Sequence, residues 1–180
     1  MSRLKPTLQQ IGLSQIELMI VISIIMILVS ITTPTVGNML KKHTLVGSSN
    51  VLFADLNFAR QTAIAHSSRT IICPVQNVTL DELQCAKTNN WVNGWIIFVD
   101  QNRNLIIDNQ EKILRVGHMD QNLTANSAGR RYFRFDTTGM ALGLPGSIYI
   151  CRKDKSNNGH RIVISNVGRI RSEPAGNRCR

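Results

Sequence analysis

Two arginines near the end of the 180-residue chain, Arg169 and Arg171, are separated by Ile170. In an extended segment, side chains two positions apart point to the same side and lie about 6.6 Å apart. Both guanidinium groups would then face outward while Ile170 faces the core. A guanidinium stays charged and donates in a planar fork that matches a phosphate group, and such contacts do not read base sequence. The pair therefore predicts a site for a phosphate-bearing polymer, with surface salt bridges or a protein contact as the alternative.

The C-terminal part of the chain is strongly basic. Residues 130–180 hold eleven Lys or Arg and three acidic residues, a local net charge of +8, while the whole chain carries +10 at pH 7. This asymmetry predicts a polyanionic partner, either nucleic acid or an anionic membrane or wall surface, although a basic surface also serves ordinary solubility. Further basic residues near the arginine pair could widen its site: Arg152, Lys153, Lys155, Arg161, Arg178 and Arg180.

The four cysteines of the sequence predict two disulfides. No two of them have the two-residue spacing of a zinc or thioredoxin-type site, and the membrane-targeting N-terminus described below implies an oxidising compartment. Proximity in sequence favours Cys73 with Cys85 and Cys151 with Cys179, while the other pairings and buried free thiols remain open. If Cys151 and Cys179 are bonded, the tail after Arg171 folds back onto the preceding hairpin.

An acidic stretch from Asp100 to Glu111 has the spacing of oxygen ligands in a calcium loop. Asp100, Asn102, Asn104 and Glu111 occupy the first, third, fifth and twelfth positions of an EF-hand-like pattern. The sixth position, where glycine makes the sharp turn, is Leu105, and no flanking pair of helices is evident. The pattern therefore favours a polar turn over a calcium site, and we predict no metal.

No combination of residues predicts catalysis. The histidines are scattered along the sequence, and neither a nucleophile paired with a base nor a nucleotide-binding loop is evident: His43, His66, His118 and His160. We therefore expect no enzymatic activity and no cofactor. Trp91 and Trp95 could stack on nucleobases, but packing in the core and at its rim is the favoured interpretation.

The N-terminus consists of a short polar leader and a long apolar run. Residues 1–12 carry Arg3 and Lys5, and residues 13–33 would span about 30 Å as a helix, which is close to one bilayer core. No small-residue cleavage site follows the run, so we expect it to remain in the mature protein with the basic leader on the cytoplasmic side. Glu17 is the one charge within the run, and its cost in a membrane calls for a partner or a function.

The junction of leader and run, GLSQIELMIVI at residues 12–22, resembles the prepilin signature of type IV pilins and type II secretion pseudopilins. The resemblance implies that a prepilin peptidase cuts between Gly12 and Leu13 and that the new N-terminus is methylated. It also implies that Glu17 pairs with the N-terminus of a neighbouring subunit during assembly. The chain departs from the usual pattern in having Leu13 where phenylalanine is common and Ser14-Gln15 in place of Thr-Leu.

Beyond the apolar run, the periodicity predicts an amphipathic helix and then short strands. Pro34 and Gly37 predict a kink or a melted turn, after which the helix continues, so that residues 34–66 form its amphipathic half. The predicted apolar face consists of Leu45, Leu52, Leu56, Ala59 and Ala63. Residues 67–180 form the head domain, with an exposed basic hairpin loop at 153–159 and predicted strands at 70–75, 95–99, 112–116, 132–135, 147–151, 161–165 and 169–171.

Three segments of the head resemble the GspH/FimT group of minor pilins and pseudopilins: residues 91–100, 135–139 and 161–171. The last of them ends in Gly168-Arg169-Ile170-Arg171, which matches the GRxR motif of FimT proteins, the DNA-binding minor pilins of naturally transformable bacteria. The two resemblances cover nearly the whole chain. They imply an α+β type IV pilin fold, in which a long N-terminal helix packs on an antiparallel β-rich domain.

The resemblance favours a minor pilin that binds DNA without sequence preference during natural transformation. It implies the inner membrane as the site of the newly made chain, with the head in the periplasm, before assembly into or at the tip of a surface pilus. The expected partners are DNA, other major and minor pilins and the prepilin peptidase. Two alternatives remain: a structural minor pilin or pseudopilin that primes filament assembly, and a surface adhesin.

Overall fold

The computed structural model describes residues 14–76, 83–108, 111–141, 143, 145–154 and 159–179, apart from the side chains of residues 31–38 and 41. Four of the predicted site residues lie outside the described residues: Gly12, Leu13, Lys155 and Arg180. The chain divides into two compact units, Met1–Lys41 and Lys42–Arg180, which are described in turn.

A single helix, α1, extends over Gln15–Ala65 and contributes to both units. Glu17 lies in its first turn, where a carboxylate interacts favourably with the positive end of the helix dipole. Pro34 and Gly37 lie inside the helix, so of the two predicted alternatives the melted turn is wrong and the kink stays a prediction. One proline removes a single backbone hydrogen bond from a helix of 51 residues, and glycine lowers its propensity only modestly, so neither residue ends the element.

In the first unit, residues 14–30 are exposed, including large apolar side chains such as Ile16, Met19 and Met26. Among the described residues, no helix has a stretch that is both long and apolar enough to cross a membrane. The predicted span of residues 13–33 begins at Leu13, outside the described residues, and the membrane assignment stays a prediction.

In the second unit, the remainder of α1 packs on the head domain through the predicted apolar face, which is confirmed. Its five residues are at most 3% exposed: Leu45, Leu52, Leu56, Ala59 and Ala63. They join one hydrophobic core with apolar side chains from the strands. The spacing of these residues in the sequence therefore identified the helix face that holds the domain together.

The described strands of the head are Thr70–Pro74 (β1), Trp95–Val99 (β2), Ile113–Gly117 (β3), Leu123–Ser127 (β4), Phe133–Phe135 (β5), Gly146–Arg152 (β6), Gly159–Ile164 (β7) and Ile170–Pro174 (β8). They form two four-stranded antiparallel sheets: the first sheet has the order β3-β2-β1-β5 and the second sheet the order β4-β6-β7-β8. A short 3₁₀ helix, Gly176–Arg178, follows.

All seven predicted strands are present. The last of them, β8, continues to Pro174, three residues past its predicted end, because it pairs along β7 through residues of low strand propensity. β4 was not predicted, since only Thr124 in its sequence LTANS is a favoured strand residue, and its pairing with β6 defines it. The observed architecture is α+β, as predicted.

Trp91 and Trp95 are fully buried, which confirms their interpretation as packing residues. The Trp95 indole Nε1 donates to Asp55 Oδ2 at 2.8 Å, and Arg115 Nη1 forms an ion pair with Asp55 Oδ1 at 3.0 Å. One carboxylate of α1 thus satisfies a buried indole on β2 and a cation on β3. These bonds hold the helix in register with the first sheet.

Candidate nucleic-acid interface

The second sheet has one buried and one accessible face along β6 and β7. The inward residues are at most 1% exposed: Ile148, Ile150, Ile162 and Ile164. On the opposite face, the strand register aligns Tyr149, Arg161 and Glu173 in one row across β6, β7 and β8. Val163 and Arg171 form part of the next row. We call this face the outer face of the second sheet.

A tight turn between β7 and β8 presents Arg169. The Gly168 N–H donates to the Ser165 carbonyl at 2.9 Å, and the Ser165 N–H donates to the Arg169 carbonyl at 3.0 Å. Gly168 has a φ of +75°, and a Cβ there would lie 1.8 Å from the carbonyl oxygen of Gly139. Only glycine fits this position, so the first residue of the predicted motif fixes the turn that places the arginines.

The predicted alternation around Ile170 is confirmed. Ile170 packs against the core, while Arg169 and Arg171 are exposed. Arg171 Nε donates to Glu173 Oε1 at 2.5 Å, and Arg161 Nη2 donates to Glu173 Oε2 at 2.8 Å. No acidic side chain among the described residues lies within 4.0 Å of the Arg169 guanidinium. The salt-bridge interpretation thus holds for Arg171, whereas Arg169 is open to an external anion.

The hydrogen bonds at the shared carboxylate of Glu173 change pKa values in this group of side chains. Hydrogen bonds from Arg171 and then from Arg161 lower the pKa of Glu173 below its usual 4.5. Hydrogen bonds with the Tyr149 side chain and with Glu173 raise the pKa of Arg161. The ion pairs are therefore intact above pH 4.5 and are lost only as the pH falls through the lowered pKa of Glu173. Exposed pairs of this kind add little stability, so a competing anion can displace them.

The other predicted basic residues divide into covered and exposed ones. Arg152 pairs with Asp154 and its side chain is only 12% exposed, and its part in widening the site stays a prediction. Lys153 is exposed beside it, and its N–H donates to the Asn122 carbonyl at 3.0 Å. Arg178 is exposed, and its guanidinium carbon lies 5.8 Å from the centroid of the Tyr149 ring.

Both disulfides have the predicted connectivity, Cys73 with Cys85 and Cys151 with Cys179. Cys179 is buried, and a Cβ at Gly159 would lie 2.1 Å from its sulfur, so the hairpin strand needs glycine there. The bond joins β6 to the segment after β8, and the predicted folding back of the tail is confirmed. The tail therefore carries Arg178 back over the outer face of the second sheet.

The loop that begins at Asp100 is closed by its own hydrogen bonds. Each of the four predicted ligand side chains accepts a hydrogen bond from a backbone N–H of the same loop, with N···O distances of 2.7–3.4 Å: Asp100, Asn102, Asn104 and Glu111. Asp100 also forms an ion pair with Arg69 Nε at 3.2 Å. Within the part of the chain that the structure describes, no three His, Cys, Asp or Glu side chains are arranged to hold a metal ion.

A cleft of about 740 Å³ beside this loop was not expected from the sequence. It is lined by Arg69, Arg103 and Arg134 together with Asp100 and Asp136. Desolvation lowers the pKa of Arg69, and the ion pair with Asp100 opposes that shift. The three arginines come from distant parts of the sequence, so no local motif could have indicated them. Because the cleft also holds two carboxylates, its excess of positive charge is smaller than that at the β7–β8 edge, which carries Arg169 and Arg171.

Comparison with known proteins gives one family and one fold. The family model described as type II transport protein GspH matches residues 48–168. A crystal structure of the type IV minor pilin FimU from Pseudomonas aeruginosa matches with a TM-score of 0.58 and 22% identity, over 74% of this chain and 91% of that chain. A second crystal form of the same pilin gives 0.57 and 23%, over 72% and 93%. No curated protein sequence matches significantly.

Proposed function

We propose that this chain, which belongs to the GspH family and has the type IV pilin fold, binds DNA during natural transformation. It is a type IV minor pilin or pseudopilin by family and fold. A pilin is a structural protein and not an enzyme. The proposed contacts are the C-terminal arginines, with Arg169 and Arg171 at their centre.

The exposed guanidinium of Arg169, which has no acidic partner among the described residues, supports the proposal most directly. Arg171 lies two positions away on the same extended segment, and Arg161 joins it through Glu173. The edge holds three arginines and one carboxylate, which pairs with Arg161 and Arg171, so the local charge is +2. Arginine at such an edge binds phosphate oxygens without reading bases, so we expect binding to any DNA sequence.

We further propose that the chain is processed and assembled as the prepilin signature implies. Prepilin peptidase would cut between Gly12 and Leu13, the head would lie in the periplasm, and Glu17 would contact the next pilin in the filament. Mass spectrometry of the membrane fraction is expected to show an N-terminus at Leu13, and Gly12→Val is expected to block the cut. An intact Met1 in cells with active prepilin peptidase would contradict this part of the proposal.

A structural minor pilin or pseudopilin without DNA binding is the second candidate. The apolar side chains exposed on α1 between residues 14 and 30 favour contacts with the helices of other pilins. Arg171 already pairs with an acidic side chain, so the same edge could bind acidic residues of a partner subunit. In that case the arginines would serve assembly, and their loss would reduce the number of pili.

Transformation in cells separates the two candidates. We expect a strain that carries Arg169→Gln and Arg171→Gln to assemble pili normally and to transform at a reduced frequency. The matched control carries Lys87→Gln and Arg131→Gln, two exposed cations beside the first sheet, which remove the same charge elsewhere. Loss of pili in the arginine variant would favour the structural candidate, and unchanged transformation would contradict the DNA-binding proposal.

A further inference from the structure

Tyr149 is the one aromatic side chain among the described residues of the outer face of the second sheet, and charged groups lie on both sides of it. Along the cross-strand row, Arg161 lies directly opposite Tyr149 in the pairing of β6 with β7. On the other side, the guanidinium of Arg178 lies 5.8 Å from the ring centroid. The ring therefore stands between the arginine cluster at the β7–β8 edge and the cations near the Cys151–Cys179 disulfide.

Beside the ring, the surface forms an open cleft of about 460 Å³. Its polar lining includes Thr124, Asn126, Lys153 and Arg178. Asn126 lies directly opposite Tyr149 in the pairing of β4 with β6. An amide both donates and accepts hydrogen bonds, a hydroxyl does the same, and the two cations only donate. Together, these side chains suit a flat, polar heterocycle that has hydrogen-bond donors and acceptors on its edge and phosphates on either side.

We propose that this cleft is a nucleobase subsite in which one unpaired base stacks on the Tyr149 ring beneath the Arg178 guanidinium. The proposal rests on the DNA-binding function proposed above and adds a preference for single strands. The phosphates on either side of the base would reach Lys153 in one direction and the cluster of Arg161 and Arg171 in the other. The bases of a duplex are already paired and stacked, so they would have to be extruded first.

The spacing of the two groups fits this arrangement with a small adjustment. A base stacked between two planes needs about 6.8 Å, or two stacking distances of about 3.4 Å each. Arg178 is 5.8 Å from the ring centroid and lies on an exposed one-turn 3₁₀ segment, so a shift of about 1 Å opens the gap. The disulfide to Cys151 keeps that segment over the cleft. The cross-strand neighbours Asn126 and Arg161 flank the ring on its two sides.

The test compares a short oligothymidine with an abasic strand of equal length, whose phosphates are the same and whose bases are missing. The full chain in uncharged detergent is titrated with each strand by fluorescence anisotropy at one salt concentration. Stacking of a base on an aromatic side chain predicts that the wild type binds oligothymidine about tenfold more tightly than the abasic strand. Tyr149→Phe retains the ring and is expected to keep this ratio within about twofold.

Tyr149→Ile removes the π face but keeps a strand-forming apolar residue, so the fold is retained and the ratio is expected to fall to about one. Equal binding of the two strands by the wild type would overturn the subsite and leave the DNA-binding function standing. A ratio that survives Tyr149→Ile would also overturn it. Failure of the wild type to bind either strand would overturn the DNA-binding function and the subsite together.

Discussion

The two sheets of the head differ in the face that is turned away from the core shared with α1: this face is buried in the first sheet and open in the second. Both faces of β1 are buried, because a second hydrophobic cluster covers the side turned away from α1. Leu83, Leu105 and Ile107 from the long connections pack on this cluster. In β6 and β7, only one face is buried, and the other is polar and open. The single helix can cover only one face of each sheet. The other face must therefore be covered by a loop or carry charged side chains that keep it soluble.

A disulfide stands at each of these faces, in different surroundings. Cys73 is fully buried on β1, and its bond to Cys85 fixes the connection that covers the apolar cluster. Cys151 is partly exposed on the outer face of the second sheet, and its bond to Cys179 fixes a tail that carries a cation. We therefore expect the first bond to stabilise the fold and the second to shape the proposed binding surface.

Loss of the first disulfide, Cys73–Cys85, is expected to change the protein most, through its stability. Replacing Cys73 and Cys85 with alanine is expected to lower the free energy of unfolding by about 3 kcal/mol, because the unfolded chain regains a loop and the apolar cluster loses its cover. Urea titration followed by fluorescence measures this change. Binding of a dye specific for exposed apolar surface should increase in the same variant.

The matched variant replaces Cys151 and Cys179 with alanine. It frees a longer loop, with a separation of 28 residues against 12, so the chain-entropy argument alone would make it the more damaging change. We expect it to lose no more stability than the first variant and to bind no additional dye, since no apolar face is uncovered. Greater dye binding by this variant would contradict the division of roles between the two bonds.

A smaller effect is expected from the acid that interrupts the basic face. Glu173→Gln removes the carboxylate that Arg161 and Arg171 share, so both guanidinium groups become available to phosphate. We expect a few-fold gain in DNA affinity and a steeper decrease of that affinity with salt. Because the pKa of Glu173 is lowered, its carboxylate is ionised above pH 4.5, and the gain should be the same at pH 5 and at pH 8. Reduced binding by this variant would mean that Glu173 positions the arginines for DNA.

Regular periodicity explains what the sequence predicted well. The five apolar helix residues lie at spacings of three, four and seven, so one face of the helix could be named before the structure was known. The alternation in Arg169, Ile170 and Arg171 predicted in the same way which side chains face outward. The disulfide connectivity followed from proximity in sequence, since each pair closes a short loop.

Long-range packing explains what the sequence did not predict. β4 has only one favoured strand residue, Thr124, and exists because β6 pairs with it. The pairing of Arg161 and Arg171 with one carboxylate depends on the register of β7 against β8, which no local pattern specifies. Arg152 was predicted to widen the site because it lies near the arginine pair, yet strand alternation and a nearby Asp154 leave its side chain only 12% exposed. The surroundings of Tyr149 form only when β4, β6 and the C-terminal tail pack against one another.

The salt dependence of DNA binding measures how many phosphates Arg169 and Arg171 contact. The full chain in uncharged detergent is titrated with a short duplex at several salt concentrations, beside the double glutamine variant and the Lys87→Gln, Arg131→Gln control. Each phosphate contact contributes about 0.9 to the slope of log affinity against log salt, so loss of both arginines should flatten the slope by about 1.8. The control should keep the wild-type slope. A folded arginine variant with unchanged affinity and slope would contradict the claim that these two arginines contact phosphates.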